Sequence, residues 1–505
     1  MEAIKVLINT LMSNNLAKIP TLTDPEVAGE DEKELYNRFF LALLEEKITT
    51  NADAAKFLDL KPDSTAYLEF IEEFITRLYH AILFSDINLP EFDDPERAIY
   101  LCWQRLSVLR YLLSLGANSA VMQIGRMLLD MAEQFELVPV VIETAMHLRQ
   151  YHALHKGDRK KYDDLCRLID RFDRLGNAES LAQDCLEAFT MDTQQHSYDA
   201  AELLHKIETQ LQELYPYAQE QQTVQFWYAY YLFQIQKSGL REQWLESLEA
   251  SNEALTKIKV KKATSSEHLI PFLFNQALSL ANLAQLKPAI EAIQATIAHE
   301  IEGSSNWFRL QEFRITLLLH DGAYAIAWKA LKIIWKNQKL HVQSPRQQNI
   351  LIAIRLWLAV LPDLDQITLS PREKGEFAAF KNTWMERMPN FDAPKPMQEL
   401  VLLLVQLALY LKQKNQRLIQ RCQESLTGLK RYFPLDTPDY SRFNCFLQLL
   451  ILLEKNAWKS AVFGEPEDQI LAELQQLPKK FSIPTMDLEI IPFEQQWEWI
   501  KEFTQ

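Results

Sequence analysis

Three histidines fall within nine residues, at His147, His152 and His155. Imidazoles at helical spacing are the usual start of a metal site, because two of them on one face can share an ion. His152 and His155 share a face, but His147 lies about 140° from His152 at 100° per residue. A metal would need a ligand from elsewhere, so the plainer expectation is surface or edge histidines. Five cysteines stand at 102, 166, 185, 422 and 445. Their number is odd, no two have C-x-x-C spacing, and all sit in apolar helical contexts, so reduced core thiols are expected rather than disulfides or zinc. Lys329, Lys332, Lys336 and Lys339 lie within about 80° of one helix face, bordered by Trp328 and Trp335. That strip could meet an acidic peptide or a nucleic acid, or could be an ordinary solvated face. Asn51–Leu60, a KPDS turn and Ala66–Leu78 have the length of a helix-turn-helix. The second helix carries Glu69, Glu72 and Glu73 where a DNA reader needs Arg, Lys or Asn.

No phosphate-cradling glycine loop, nucleophile elbow, H-E-x-x-H or kinase signature occurs. Catalysis is not expected, and no cofactor or metal is implied. The net charge of −15 is concentrated in residues 1–100, where 20 acidic and 9 basic residues give −11, leaving −4 for the rest. Such a surface is repelled by nucleic-acid phosphates and anionic lipid. The most apolar run, Leu400–Leu411, is about 12 residues, short of the ~20 that span a bilayer. The opening residues lack a basic n-region and a cleavage site. A cytoplasmic protein with no nucleic-acid and no membrane partner is expected.

The elements that would position any site are helices. Only 11 of 505 residues are Gly, against a usual share of about 7%. Sheets and tight hairpins need glycine where φ is positive. Residues 1–95 form an acidic helical module, with helices expected at Met1–Asn14, Asp31–Glu46, Ala52–Leu58 and Ser64–Phe84. Residues 96–388 form a long array, 389–396 (PNFDAPKP) a linker, 397–478 further hairpins and 479–505 a capping segment. Turn signals stand at Gly116-Ala117-Asn118, Gly157-Asp158, Gly176-Asn177 and Asp321-Gly322. Ser370-Pro371-Arg372-Glu373 has the form of a capping box. Phe481–Pro492 cannot continue a helix because of its prolines, and Phe493, Trp497 and Ile500 then make one stripe expected to fold back on the last hairpin.

Phe272–Ala298 and Trp307–Asn337 repeat one shape: a helix, a short turn and a second helix with an early small residue. Ala277 and Ala289 mark one copy, and Gly322, Tyr324 and Ala327 the next. Ser247 and Ala201 are weaker equivalents, giving spacings of 46, 42 and 38 (247−201, 289−247, 327−289). These segments resemble tetratricopeptide repeats, although the family period is 34 and its Trp, Leu-Gly and Pro positions are mostly absent.

The resemblance implies an all-α, right-handed αα-solenoid of stacked hairpins, with the first helix of each hairpin lining a concave groove. It implies a protein or peptide partner and a scaffold or adaptor role. By register, Phe274, Leu278, Asn282, Arg309, Glu312, Thr316 and His320 would face that groove, unless they only pack between hairpins. The alternative is a transcriptional or signalling regulator, a ligand or peptide sensor, whose activity lies in the N-terminal module.

Overall fold

A computed structural model describes residues 4–5, 7–8, 30–62, 64–83, 94–195, 199–364, 366–385, 396–428, 437, 440–456, 464–481 and 488–504. Among these residues the chain is helical without strands, and its 21 α-helices pack against their neighbours in sequence. The expected Met1–Asn14 helix lies mostly outside the described residues, as does the 389–396 linker except for Pro396.

The first compact unit is Met1–Gly176. Its opening helices are α1 (Glu30–Leu44), α2 (Asn51–Phe57) and α3 (Thr65–Leu83). Thr50 caps α2, and Asp53 reaches back to the Thr49 and Thr50 amides. The Thr49 and Thr50 hydroxyls, which also donate to it, and then these amides hold the Asp53 carboxyl at about 2. Tyr36, Phe70 and Phe74 stack at the centre, and Phe39 meets Phe70 and Phe74 edge-on. A second core joins α4 (Asp94–Ser114), α5 (Asn118–Gln134) and α6 (Val138–Tyr151) to the first part of α7 (Arg159–Gln195).

The second unit is Asn177–Gln505. Its helices are the rest of α7, α8 (Ala200–Leu214), α9 (Val224–Leu240), α10 (Trp244–Ile258), α11 (Ser266–Asn282), α12 (Leu286–Ile297), α13 (Ser305–His320), α14 (Tyr324–Lys336) and α15 (Pro345–Leu358). They continue through α16 (Pro371–Met385), α17 (Pro396–Lys412), α18 (Gln416–Gly428), α19 (Ser441–Lys455), α20 (Glu465–Gln476) and α21 (Phe493–Thr504). The unit boundary falls inside α7, a position placed within the array by the sequence.

One connection recurs. At residues 115–117, 135–137, 241–243, 283–285, 321–323 and 413–415 a three-residue link joins two helices. Its middle residue is left-handed each time: Gly116, Glu136, Glu242, Ala284, Gly322 and Lys414. The amide of the third residue then bonds the carbonyl five positions back, as in Gln243 to Ser238 at 2.9 Å and Gln285 to Leu280 at 2.9 Å. This is the Schellman closure, which satisfies carbonyls left over at a helix end. The second helices that follow have no side-chain cap at Gln243, Gln285 or Ala323. Ser247, Ala289 and Ala327 are each the fourth residue of such a helix and are at most 2% exposed. The first helices open on Thr223, Ser265, Ser304 and Ser344, at intervals of 42, 39 and 40 (265−223, 304−265, 344−304).

Two sequence expectations change. Ala201 is the exposed second residue of α8, not a buried small position. Gly176-Asn177 is no turn: both lie in the unbroken α7. A Cβ at Gly176 would meet Val138 Cγ1 at 2.9 Å, so that glycine serves close approach of α6 and α7. Gly125 does the same, where a Cβ would meet Leu148 Cδ2 at 2.9 Å.

The shared turn predicts opposite effects at two equivalent positions. Ala284→Gly removes a left-handed penalty and should raise stability by about 1 kcal/mol, while Gly322→Ala, with open space around it, should lose about 1 kcal/mol through backbone strain alone. Urea unfolding of both variants checks this, and equal signs would refute it.

Candidate functional site

The residues singled out by register lie on α11 and α13, and a later part of the chain covers some of them. Asn282 ends α11. Its Nδ2 donates to Leu278 O at 2.9 Å, which leaves Oδ1 turned to accept the Phe481 amide at 3.0 Å. The Phe481 ring is 3% exposed and sits 4.9 Å from the His320 ring and 6.5 Å from Phe313. Phe313 in turn meets Phe274 at 5.7 Å. Lys480 reaches Glu242, the left-handed residue of the α9–α10 turn, at 2.5 Å. The extended stretch ending at Phe481 therefore crosses the C-terminal ends of α9, α11 and α13.

His320 Nε2 lies 2.6 Å from Glu489 O. A carbonyl only accepts, so Nε2 carries the proton. Burial pushes the His320 pKa down, with Glu489 pulling the other way. The neutral imidazole therefore keeps Nδ1 free of a proton, and that buried atom has no hydrogen-bond partner.

Arg442 anchors the covering segment. It is 3% exposed, in an otherwise apolar stretch of α19. Its Nε and Nη2 grip Glu489 at 2.9 and 2.7 Å. Nη2 also donates to Glu494 at 2.9 Å, and Nη1 to the carbonyls of Leu474 and Leu477 at 2.6 and 2.9 Å. Burial disfavours this guanidinium charge, but the Glu489 and Glu494 carboxylates outweigh it and raise its pKa. Glu489 Oε1 accepts the Phe493 amide at 3.1 Å, which caps α21. Phe493, Trp497 and Ile500 are at most 1% exposed, and α21 packs on α17, α19 and α20. Trp497 Nε1 and Lys501 both reach Glu467, at 2.8 and 2.9 Å.

The seven register positions thus divide. Asn282 and His320 hold the C-terminal segment. Phe274 and Leu278 are half-buried against the core. Glu312 and Thr316 are 2% exposed; Glu312 pairs with Arg346 of α15 at 3.3 Å, and Thr316 donates to Glu312 O. These two lie inside helix packing, not on an open surface. Arg309 is exposed. Phe481, Arg442 and Glu489 lie outside the residues singled out by register. An arginine within SRFNCFLQLLILL was the available signal, since a charge in an apolar stripe needs a buried partner.

The other candidates separate too. Lys332 and the Trp328 indole both bond Glu373 of α16 at 3.1 and 3.2 Å, so part of the lysine strip is covered. Ser370 and Glu373 close the expected capping box. Burial pushes the thiols up, to about 11 at Cys102 and Cys445 and about 12 at Cys422. His147 faces Glu143 and His155 faces Tyr151. Among the described residues no group of three His, Cys, Asp or Glu is placed to hold a metal, and no helix is long and apolar enough to cross a membrane. The chain significantly matches no protein-family model, no curated protein and no solved structure.

Arg442→Met should destabilise the C-terminal segment by about 3–5 kcal/mol, because it strands buried carboxylates. Arg442→Lys should recover little, since an ammonium has three donors where five are used. Hydrogen exchange at 488–504 measures both, and native protection in Arg442→Met would overturn the assignment. The His320 pKa lies below its ordinary 6.5 when folded. Its contribution is therefore present above pH 6.5 and lost as pH falls through 6.5 toward the folded value. Protection of residues 477–481 should drop on that side, and His320→Gln should flatten the dependence.

Proposed function

We propose that this chain is a non-catalytic protein- or peptide-binding scaffold, a right-handed αα-solenoid of tetratricopeptide-like hairpins. The roughly 40-residue succession of Ser/Thr-capped first helices, left-handed links and buried small residues supports that architecture. Stacked hairpins of this kind bury their apolar stripes against each other and leave an extended surface for partners. The observation that carries the functional reading is Phe481: the ends of α11 and α13 already hold an extended segment through one backbone amide and one aromatic ring. Backbone capture gives affinity whatever the side chain, and an aromatic anchor in a desolvated pocket is the usual source of binding energy. The occupant expected from a partner is an extended segment with an aromatic residue in the Phe481 position.

The test uses a labelled peptide of residues 477–484 and the full chain. Phe481→Ala, checked for helical content, should bind the peptide saturably. The unaltered chain should bind it at least about tenfold more weakly, because its own segment holds the site. Adding Asn282→Leu should abolish binding. No binding to the Phe481→Ala chain, or binding indifferent to Asn282, would sink the reading.

A further inference from the structure

A cavity of about 610 Å³ lies in the first unit between α5, the end of α6 and the start of α7. It is remote in sequence from the surface above, and nothing proposed there depends on it. Its size is in the range of small-molecule sites.

The local backbone is unusual. The helices that precede the recurring links stop in a Schellman closure, but α6 runs into a π-helical turn, His152–Lys156, closed by Gly157 at φ 61°. Such turns insert one residue into the helix and re-aim side chains, often at functional sites. Here His152 lines the cavity yet is 5% exposed, and its Nδ1 is buried with no hydrogen-bond partner. A buried polar atom in this position is left waiting for a donor or acceptor.

The charges around it do not balance. Arg126 of α5, Lys156 of the turn and Lys161 of α7 line the cavity with a single carboxylate, Asp158. Asp158 is engaged locally: it accepts the Lys161 amide at 3.1 Å and lies 3.7 Å from Lys161 Nζ. Among the described residues neither Arg126 nor Lys156 has an ion-pair partner. A chain of net charge −15 thus gathers two unpaired cations beside an unsatisfied imidazole. Burial lowers the His152 pKa, Lys161 adds to that, and Asp158 opposes it, with smaller contributions from Arg126 and Lys156. The ring is therefore held neutral in a field that an anion would relieve.

We infer that this cavity binds a small molecule carrying a tetrahedral dianion of the phosphate type, with Arg126 and Lys156 on its charge and the His152 imidazole in the wall beside them. Ser119 and Gln123 offer hydrogen bonds to the rest of the molecule, and Met122 an apolar wall. Cationic donors are the ones such oxygens prefer.

The experiment titrates the full chain with sulfate, inorganic phosphate and glycerol phosphate, read by calorimetry and by the imidazole resonances of His152. Saturable binding with a shift of the His152 signals is expected. The pair Arg126→Ala and Lys156→Ala should weaken it at least about tenfold, and His152→Gln severalfold with an unchanged melting temperature. Tighter binding of glycerol phosphate than of the inorganic anions assigns the site to a phosphate monoester, and equal binding to the free anion; both support it. No saturable binding of any of the three, or equal binding in the doubly substituted chain, overturns it. Should His152→Gln fail to fold, the surface pair decides alone.

Discussion

The guanidinium of Arg442 is the contact on which the arrangement of the second unit's C-terminal part depends. It has five N–H groups, and all five are used: two on Glu489, one on Glu494, and one each on Leu474 O and Leu477 O. Each bond fixes a different stretch of chain. The end of α20 is held by its carbonyls, the start of α21 by Glu489 and Glu494, and Phe481 and Glu489 thereby meet α11 and α13. A buried ion network of this kind adds little net stability over an apolar equivalent, but an arrangement that leaves any member unpaired is costly. Phe481 and the Glu489 carbonyl reach Asn282 and His320 because the network leaves the chain few other routes.

Much of the architecture was legible from composition. Scarce glycine meant helices, and the Phe493, Trp497 and Ile500 stripe meant a buried final helix. The links were harder. A turn through positive φ suggests Gly or Asn, yet Glu136, Glu242, Ala284 and Lys414 occupy that position. The closure is specified by a backbone hydrogen bond reaching back five residues, which any residue but proline can donate, so side chains carry little trace of it. The same fact explains the error at Gly176. A glycine can mark a turn or a close helix contact, and only the position of Val138 decides between them.

The candidate surface was legible on one side only. Register placed Phe274, Leu278, Asn282 and His320 on two successive first helices, and these do lie near one another through Phe313. Register could not separate them from Glu312 and Thr316, because inward and outward positions on a first helix differ by the neighbour that covers them. Arg346 of α15 supplies that cover for Glu312. Nor could periodicity name the occupant. Asn282 and Phe481 are 199 residues apart, and His320 and Glu489 are 169 apart. No local pattern reports such pairings.

Phe481 is attached to the surface it occupies. A segment tethered at short range acts at an effective concentration on the order of millimolar. Any outside segment entering the same place competes against that fixed local supply, not against water. Its apparent affinity is its intrinsic affinity reduced by the fraction of time the place stands vacant. On the binding role proposed above, weak encounters are thereby filtered out, and occupancy from outside becomes a threshold set by how firmly the remaining contacts of the C-terminal segment hold.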